Sequence, residues 1–164
     1  MSELLEFEEE SKMGSLYHGL TQGLLITALS QNDKFTVIPE LSLDISQLDL
    51  KPFGIKAKDR LIPDISIYPK GLFKKKGRDL LKVSEIPLLA IEVISPEQGT
   101  NEILAKFEAY FTLGIKSCWL VDPLVDVVHV YPEPYQHRTY DMNDTEIFDE
   151  VMDIHLPIRD IFAW

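Results

Sequence analysis

The chain has a single cysteine, Cys118, which excludes an internal disulfide framework and by itself cannot build a zinc site of the usual two-to-four-cysteine kind. A reducing, cytoplasmic setting is the expectation. No apolar run approaches the roughly 20 residues of a membrane span. The first residues are acidic (Glu3, Glu6, Glu8, Glu9, Glu10) rather than basic and then apolar. Neither an export leader nor a membrane helix is expected. Repeats, low-complexity stretches and linkers are also missing, so the 164 residues are expected to form one domain, residues 1–164. A chain of that length buries roughly 70% of the surface it exposes when unfolded, enough for a real core.

Positive charge is scarce as well. Sixteen Lys and Arg stand against 27 Asp and Glu, a formal net charge of −11, which at first argues against a phosphate-rich partner. The distribution says otherwise. Residues 51–82 hold ten basic residues and only three acidic ones, among them the run Lys74, Lys75, Lys76 and then Arg78. One basic segment on an acidic body suits a polyanion-facing surface. A solvated lysine loop would have the same composition.

What the chain does have is a set of periodic segments. From about Glu8 to Ser30, apolar residues at Met13, Leu16, Tyr17, Leu20, Leu24 and Leu29 recur near a 3.6-residue period, which predicts an amphipathic helix with His18 on or beside its apolar face. Phe35 to Leu41 reads as a strand, with Pro39 marking an edge or a bulge. Ser42 to Lys58 lacks a clean period. Leu61 to Tyr68 alternates, setting Ile65 and Ile67 on one face and Asp64, Ser66 and Tyr68 on the other. Thr100 as N-cap and Gly114 as stop bracket a second helix, whose stripe is Ile103, Phe107, Tyr110 and Phe111 and which carries Lys106 and Tyr110 on one side. Lys116 to Asp122 and Asp126 to Tyr131 read as a hairpin turned at Asp122-Pro123. The acidic last thirty residues include a short closing strand near Ile154 to Ile158. Strand, helix and strand in succession imply a parallel crossover. The fold class expected is α/β, a central mixed sheet flanked by helices.

The run Ile86 to Pro96 organises the rest. It is apolar throughout, as in a strand buried on both faces, except at Glu92. An ionised carboxylate there costs several kcal/mol unless it is paired or binds a metal. Asp64, 28 residues earlier, and Lys106, 14 residues later, are the candidate partners. Two carboxylates at neighbouring strand ends can hold a hard divalent cation such as Mg²⁺ (or Mn²⁺) with several waters, and a lysine beside it can orient or activate a nucleophile. That chemistry hydrolyses phosphodiesters. Each residue also has an ordinary alternative. Lys106 can pair with Glu102 along its helix, Asp64 after Pro63 can be a turn residue, and Glu92 can be neutralised by a raised pKa.

Pro63-Asp64, the strand with Glu92-Val93-Ile94-Ser95-Pro96, Lys106 with Tyr110, and Gly114 through Pro123 resemble the Uma-type family of bacterial endonucleases, within the PD-(D/E)xK restriction-endonuclease-like superfamily. The similarity runs from about His18 to the C-terminus. It implies a restriction-endonuclease-like fold and metal-dependent DNA endonuclease activity. By the same resemblance Asp64, Glu92 and the Val93 carbonyl are the metal ligands, Lys106 is the catalytic lysine, and His18 and Glu40 are accessory contacts to phosphate or outer ligands. The pattern departs at Ile94, where the superfamily places a lysine two residues after the glutamate, and the helix lysine takes that role. A catalytically inactive nuclease fold that binds nucleic acid or protein is the alternative. A cutter of both duplex strands would favour a homodimer.

Overall fold

The computed structural model describes Phe7–Glu8, residues 14–57 and residues 59–164. Lys58, Met13 and the remaining N-terminal acids lie outside the described residues. The elements in chain order are β1 (Phe7–Glu8), α1 (Leu16–Leu29), β2 (Phe35–Pro39), β3 (Leu43–Asp44), a 3₁₀ turn at Lys51–Phe53, β4 (Ile55–Lys56), β5 (Arg60–Leu61), β6 (Ile65–Pro69), β7 (Leu89–Val93), α2 (Thr100–Leu113), β8 (Ser117–Asp122), β9 (Val127–Glu133), β10 (Gln136–Tyr140), β11 (Glu146–Asp149), β12 (Ile154–Pro157) and α3 (Arg159–Phe162).

Six strands form one mixed sheet in the order β10-β9-β8-β7-β6-β2. Only the β7–β8 pairing within it is parallel, as the β7-α2-β8 crossover requires. All five β7 residues are buried. Alternation along the strands feeds two cores. Ile65, Ile67, Leu89, Ile91, Val93 and Trp119 face one side, packed with Leu25 and Leu29 of α1, Leu156 of β12, and Ile161 and Phe162 of α3. Ala90, Cys118 and Leu120 face the other, packed with Ile103, Phe107 and Tyr110 of α2 and with Leu43, Leu50, Ile55 and Leu61 from the short strands around β3 to β5. The sheet is therefore covered on both faces, which is why its central strands read as continuous apolar runs.

Several expectations are met. β2 is an edge strand, β8 and β9 form a hairpin, and Gly114 ends α2 in the left-handed region at φ 107°. Others are corrected. α1 begins at Leu16 behind Ser15, whose Oγ accepts the His18 N–H at 3.2 Å. Its buried positions are His18, Thr21, Leu25 and Leu29, whereas Leu16, Tyr17 and Leu20 are exposed. The apolar residues surround this helix, so counting them picked the wrong stripe. α2 is capped at Gly99, and Thr100 is its first helical residue. The acidic tail holds β10 and β11 as well as the closing strand, and β11 pairs with β12 in a separate antiparallel hairpin.

Candidate active site

Asp64 and Glu92 stand at neighbouring strands because of register. Ile65 pairs with Ile91 across the antiparallel β6–β7 ladder, and one step further sets Asp64 opposite Glu92. The ladder ends there, and the Val93 N–H donates to Asp64 Oδ2 at 2.7 Å. The Asp64 carbonyl accepts from the Glu40 N–H at 3.1 Å and from Gln22 Nε2 at 2.9 Å. His18 Nε2 lies 3.2 Å from Asp64 Oδ2. Thus α1 grips Asp64 with two side chains four residues apart, His18 and Gln22, which helical geometry puts on one face.

Glu92 is gripped in the same way from the other layer. It is 1% exposed, and its even-numbered position points it at α2. Tyr110 Oη donates to Glu92 Oε1 at 2.6 Å, and Lys106 Nζ lies 4.0 Å from the same oxygen. Lys106 is 4% exposed and Tyr110 fully buried. A buried lysine beside a buried glutamate is an arrangement in which each charge offsets the other's desolvation. Tyr110 and Lys106 again stand four apart on one helix face, and Phe107 packs its ring 6.3 Å from that of Tyr110.

The other residues singled out in the sequence are spread more widely. Glu40 adjoins Asp64 through its backbone while its side chain is exposed, and its φ of 50° is in the left-handed region that non-glycine residues seldom occupy. Lys74, Lys75, Lys76 and Arg78 sit on an exposed loop. The last three of these line a cleft of about 340 Å³ with Ile38 and Leu41, which flank Pro39 and Glu40. Gln22 is the residue that sequence reading passed over. Its one signal is its place four residues after His18.

The motif order and this geometry can be set against known proteins. A family model described as "Putative restriction endonuclease", Uma2, matches residues 6–159. The chain belongs to the Uma2 family. The fold agrees: the crystal structure described as "a putative nuclease belonging to DUF820 from Anabaena variabilis ATCC 29413" superposes with a TM-score of 0.70 at 20% identity, over 93% of this chain and 84% of that one. No curated protein matches the chain. In this Uma2 member, among the described residues, no group of three His, Cys, Asp or Glu side chains is arranged around a common metal position, and no helix is long and apolar enough to cross a membrane.

Two carboxylates suffice for one kind of ion. Mg²⁺ is held by one or two carboxylates, keeps several waters and adds substrate phosphate, in place of an all-protein cage. Asp64 Oδ1 has no hydrogen-bond partner among the described residues, and the Asp64 side chain is 18% exposed. Asp64 thus offers an open carboxylate oxygen of the kind a hard, partly hydrated cation takes.

Proposed function

We propose that this Uma2 chain is a metal-dependent nuclease that hydrolyses phosphodiester bonds in DNA, with Asp64, Glu92 and the Val93 carbonyl holding Mg²⁺ or Mn²⁺ and Lys106 as the catalytic lysine. The observation that carries the reading is the buried Lys106 ammonium 4.0 Å from Glu92, directly across the register from Asp64. Replacing a buried ion pair by apolar residues is often neutral or stabilising, so a pair kept at this place fits a use for its charge.

When bound, the ion supplies Lewis acidity toward a phosphoryl oxygen and a water of lowered pKa. The protein's own residues do the rest. Asp64 is held in orientation by the Val93 N–H and by His18, and Glu92 by Tyr110, so both ligand sets are preorganised. Lys106, beside Glu92, is the side chain that would stabilise the negative charge gained by the phosphoryl oxygens. Water oxygen bonds to phosphorus, its proton leaves, the ester P–O bond breaks, and the departing oxygen is protonated by solvent.

The test is cleavage of supercoiled plasmid and of single-stranded DNA by purified protein with Mg²⁺ or Mn²⁺, beside Glu92→Gln and Lys106→Met. Metal-dependent cutting that falls by about 10²-fold or more in both folded variants is expected, the scale for removing one preorganised electrostatic partner. Wild-type protein inert on every DNA, or variants that cut as well as wild type, would leave a nuclease fold that binds without cutting.

A further inference from the structure

The site lies at one end of the sheet, and strand order decides what flanks it. Along that end stand, in order, Glu40 after β2, Asp64 before β6, Val93 ending β7 and Asp122 ending β8. At ~4.8 Å between strands the row is about 14 Å long, and the two carboxylates are in its middle.

Its two flanks differ in kind. On the β2 side Lys75, Lys76 and Arg78 line the cleft with Ile38 and Leu41. On the β8 side a cleft of about 260 Å³ is lined by Leu16, Tyr17, Ile94, Pro96 and Leu124 among others, and none of its lining residues is charged. Leu16, Leu124 and the adjacent Val125 are 72%, 62% and 63% exposed. The Tyr17 ring is held in place by an edge-on contact with Trp164, centroids 4.9 Å apart. The charges nearest this cleft along the β8–β9 turn, Asp122 and Asp126, are negative.

In a duplex the bases are paired and stacked inward, so a base can lie on apolar protein surface only where it is unpaired. Among the described residues, the cations that line a flank of the site are on the β2 side. The other side offers apolar and aromatic surface of the kind on which unpaired bases stack. We infer that the substrate is a nucleic acid with an unpaired nucleotide next to the scissile phosphate. Its backbone runs off over Lys75, Lys76 and Arg78, and the base on the other side lies against Tyr17, Leu16 and Leu124. A single strand or an overhang meets this requirement and a blunt duplex does not. The inference rests on the phosphodiesterase reading.

The test is fluorescence anisotropy in metal-free buffer with one labelled oligonucleotide presented as a single strand, as a duplex with an overhang and as a blunt duplex. Single strand and overhang are expected to bind about tenfold or more tightly than blunt duplex at equal salt. Tyr17→Ala with Leu124→Ser, both at exposed positions, should erase that preference and leave blunt-duplex affinity unchanged, while Lys75→Ala with Lys76→Ala should weaken all three and flatten the salt dependence. Equal affinity for the three forms overturns the inference. So does a preference that survives Tyr17→Ala with Leu124→Ser, or a dimer in light scattering that those substitutions dissociate, since a second copy would then be the occupant. A protein that shows the preference but never cuts with Mg²⁺ or Mn²⁺ sinks the phosphodiesterase reading. One that cuts duplex plasmid and disregards single strands sinks this inference alone.

Discussion

Glu92 and Lys106 are each almost fully buried and 4.0 Å apart. Removing one member of a buried ion pair costs about 3–5 kcal/mol, whereas replacing both by apolar residues of similar size is often neutral or stabilising. Lys106→Met alone and Glu92→Leu alone should therefore lower the thermal midpoint clearly, and the double variant should recover it while remaining inactive. A double variant less stable than either single one would show that the pair is there for the fold. Tyr110 separates stability from function more finely. Tyr110→Phe keeps the ring against Phe107 and removes the hydroxyl that donates to Glu92 Oε1. Loss of a hydrogen-bonding partner behind a metal ligand costs about 10–100-fold in metal affinity or activity. Calorimetric titration with Mn²⁺ should show that weakening in folded Tyr110→Phe protein, and unchanged affinity would remove Tyr110 from the site. Asp149 is a useful contrast, for it is equally buried but accepts from Ser117 Oγ at 2.5 Å, Trp119 Nε1 at 2.7 Å and the Met152 N–H at 3.0 Å. Neutral donors satisfy that carboxylate, and its task is to tie the β11–β12 hairpin to β8.

At the scale of elements, the two hairpins at the C-terminal end each carry a histidine whose titration opposes the other's. Burial, and then the neighbouring His137, hold His129 on β9 below the usual imidazole range. A hydrogen bond donated to the Glu146 carboxylate holds exposed His155 on β12 above it. Lowered in the folded state, His129 contributes stability that is complete above the unfolded value near 6.5 and is lost as pH falls toward the folded one. Raised in the folded state, His155 contributes stability that is complete below 6.5 and is lost as pH rises through the folded value. His129→Gln should thus make the protein relatively more acid-tolerant as pH falls below about 6.5, and His155→Gln should remove a loss of stability that the wild type shows as pH rises above about 6.5, in denaturant melts taken on both sides of that value. The same slope in both variants would contradict the assignment. These hairpins also mark where sequence reading stops. β7, β8 and α2 were legible because burial on both faces leaves an apolar run, and Gly114 is a left-handed stop. β10 was not, since four of its five residues are exposed, and an exposed edge strand has no period to read. α1 misled for the opposite reason. Exposed Leu16, Tyr17 and Leu20 mimic a core stripe, while the stripe that packs contains His18 and Thr21. Asp64, Glu92 and Lys106 could be picked out because a charge in an apolar strand demands a partner. Gln22 acts through the Asp64 carbonyl, and nothing in a sequence reports a backbone acceptor.

For the molecule as a whole, both carboxylates sit between two cores that share one sheet, so the site keeps its shape only while α1 and α2 stay docked on opposite faces. Cys118 reports on that docking. It is fully buried near the start of β8, facing the α2 layer beside Ala90. Burial pushes its thiol well above the ordinary range, and the negative charges of Glu92 and Asp149 push it further. The reactive species is the thiolate, so both the barrier to access and the cost of ionisation protect it while the layers are closed. Alkylation by iodoacetamide in native buffer should be slower than in denaturant by a factor set by the free energy of opening, more than about 10³ if the usual 5–15 kcal/mol holds the fold together. Because α2 carries Lys106 and Tyr110, undocking that exposes Cys118 also separates both from Glu92, and conditions that speed labelling should abolish DNA cleavage in step. Rapid labelling of a protein that still cuts would show that α2 can leave the sheet without dismantling the site, and the pairing of Lys106 with Glu92 would then have no part in the chemistry.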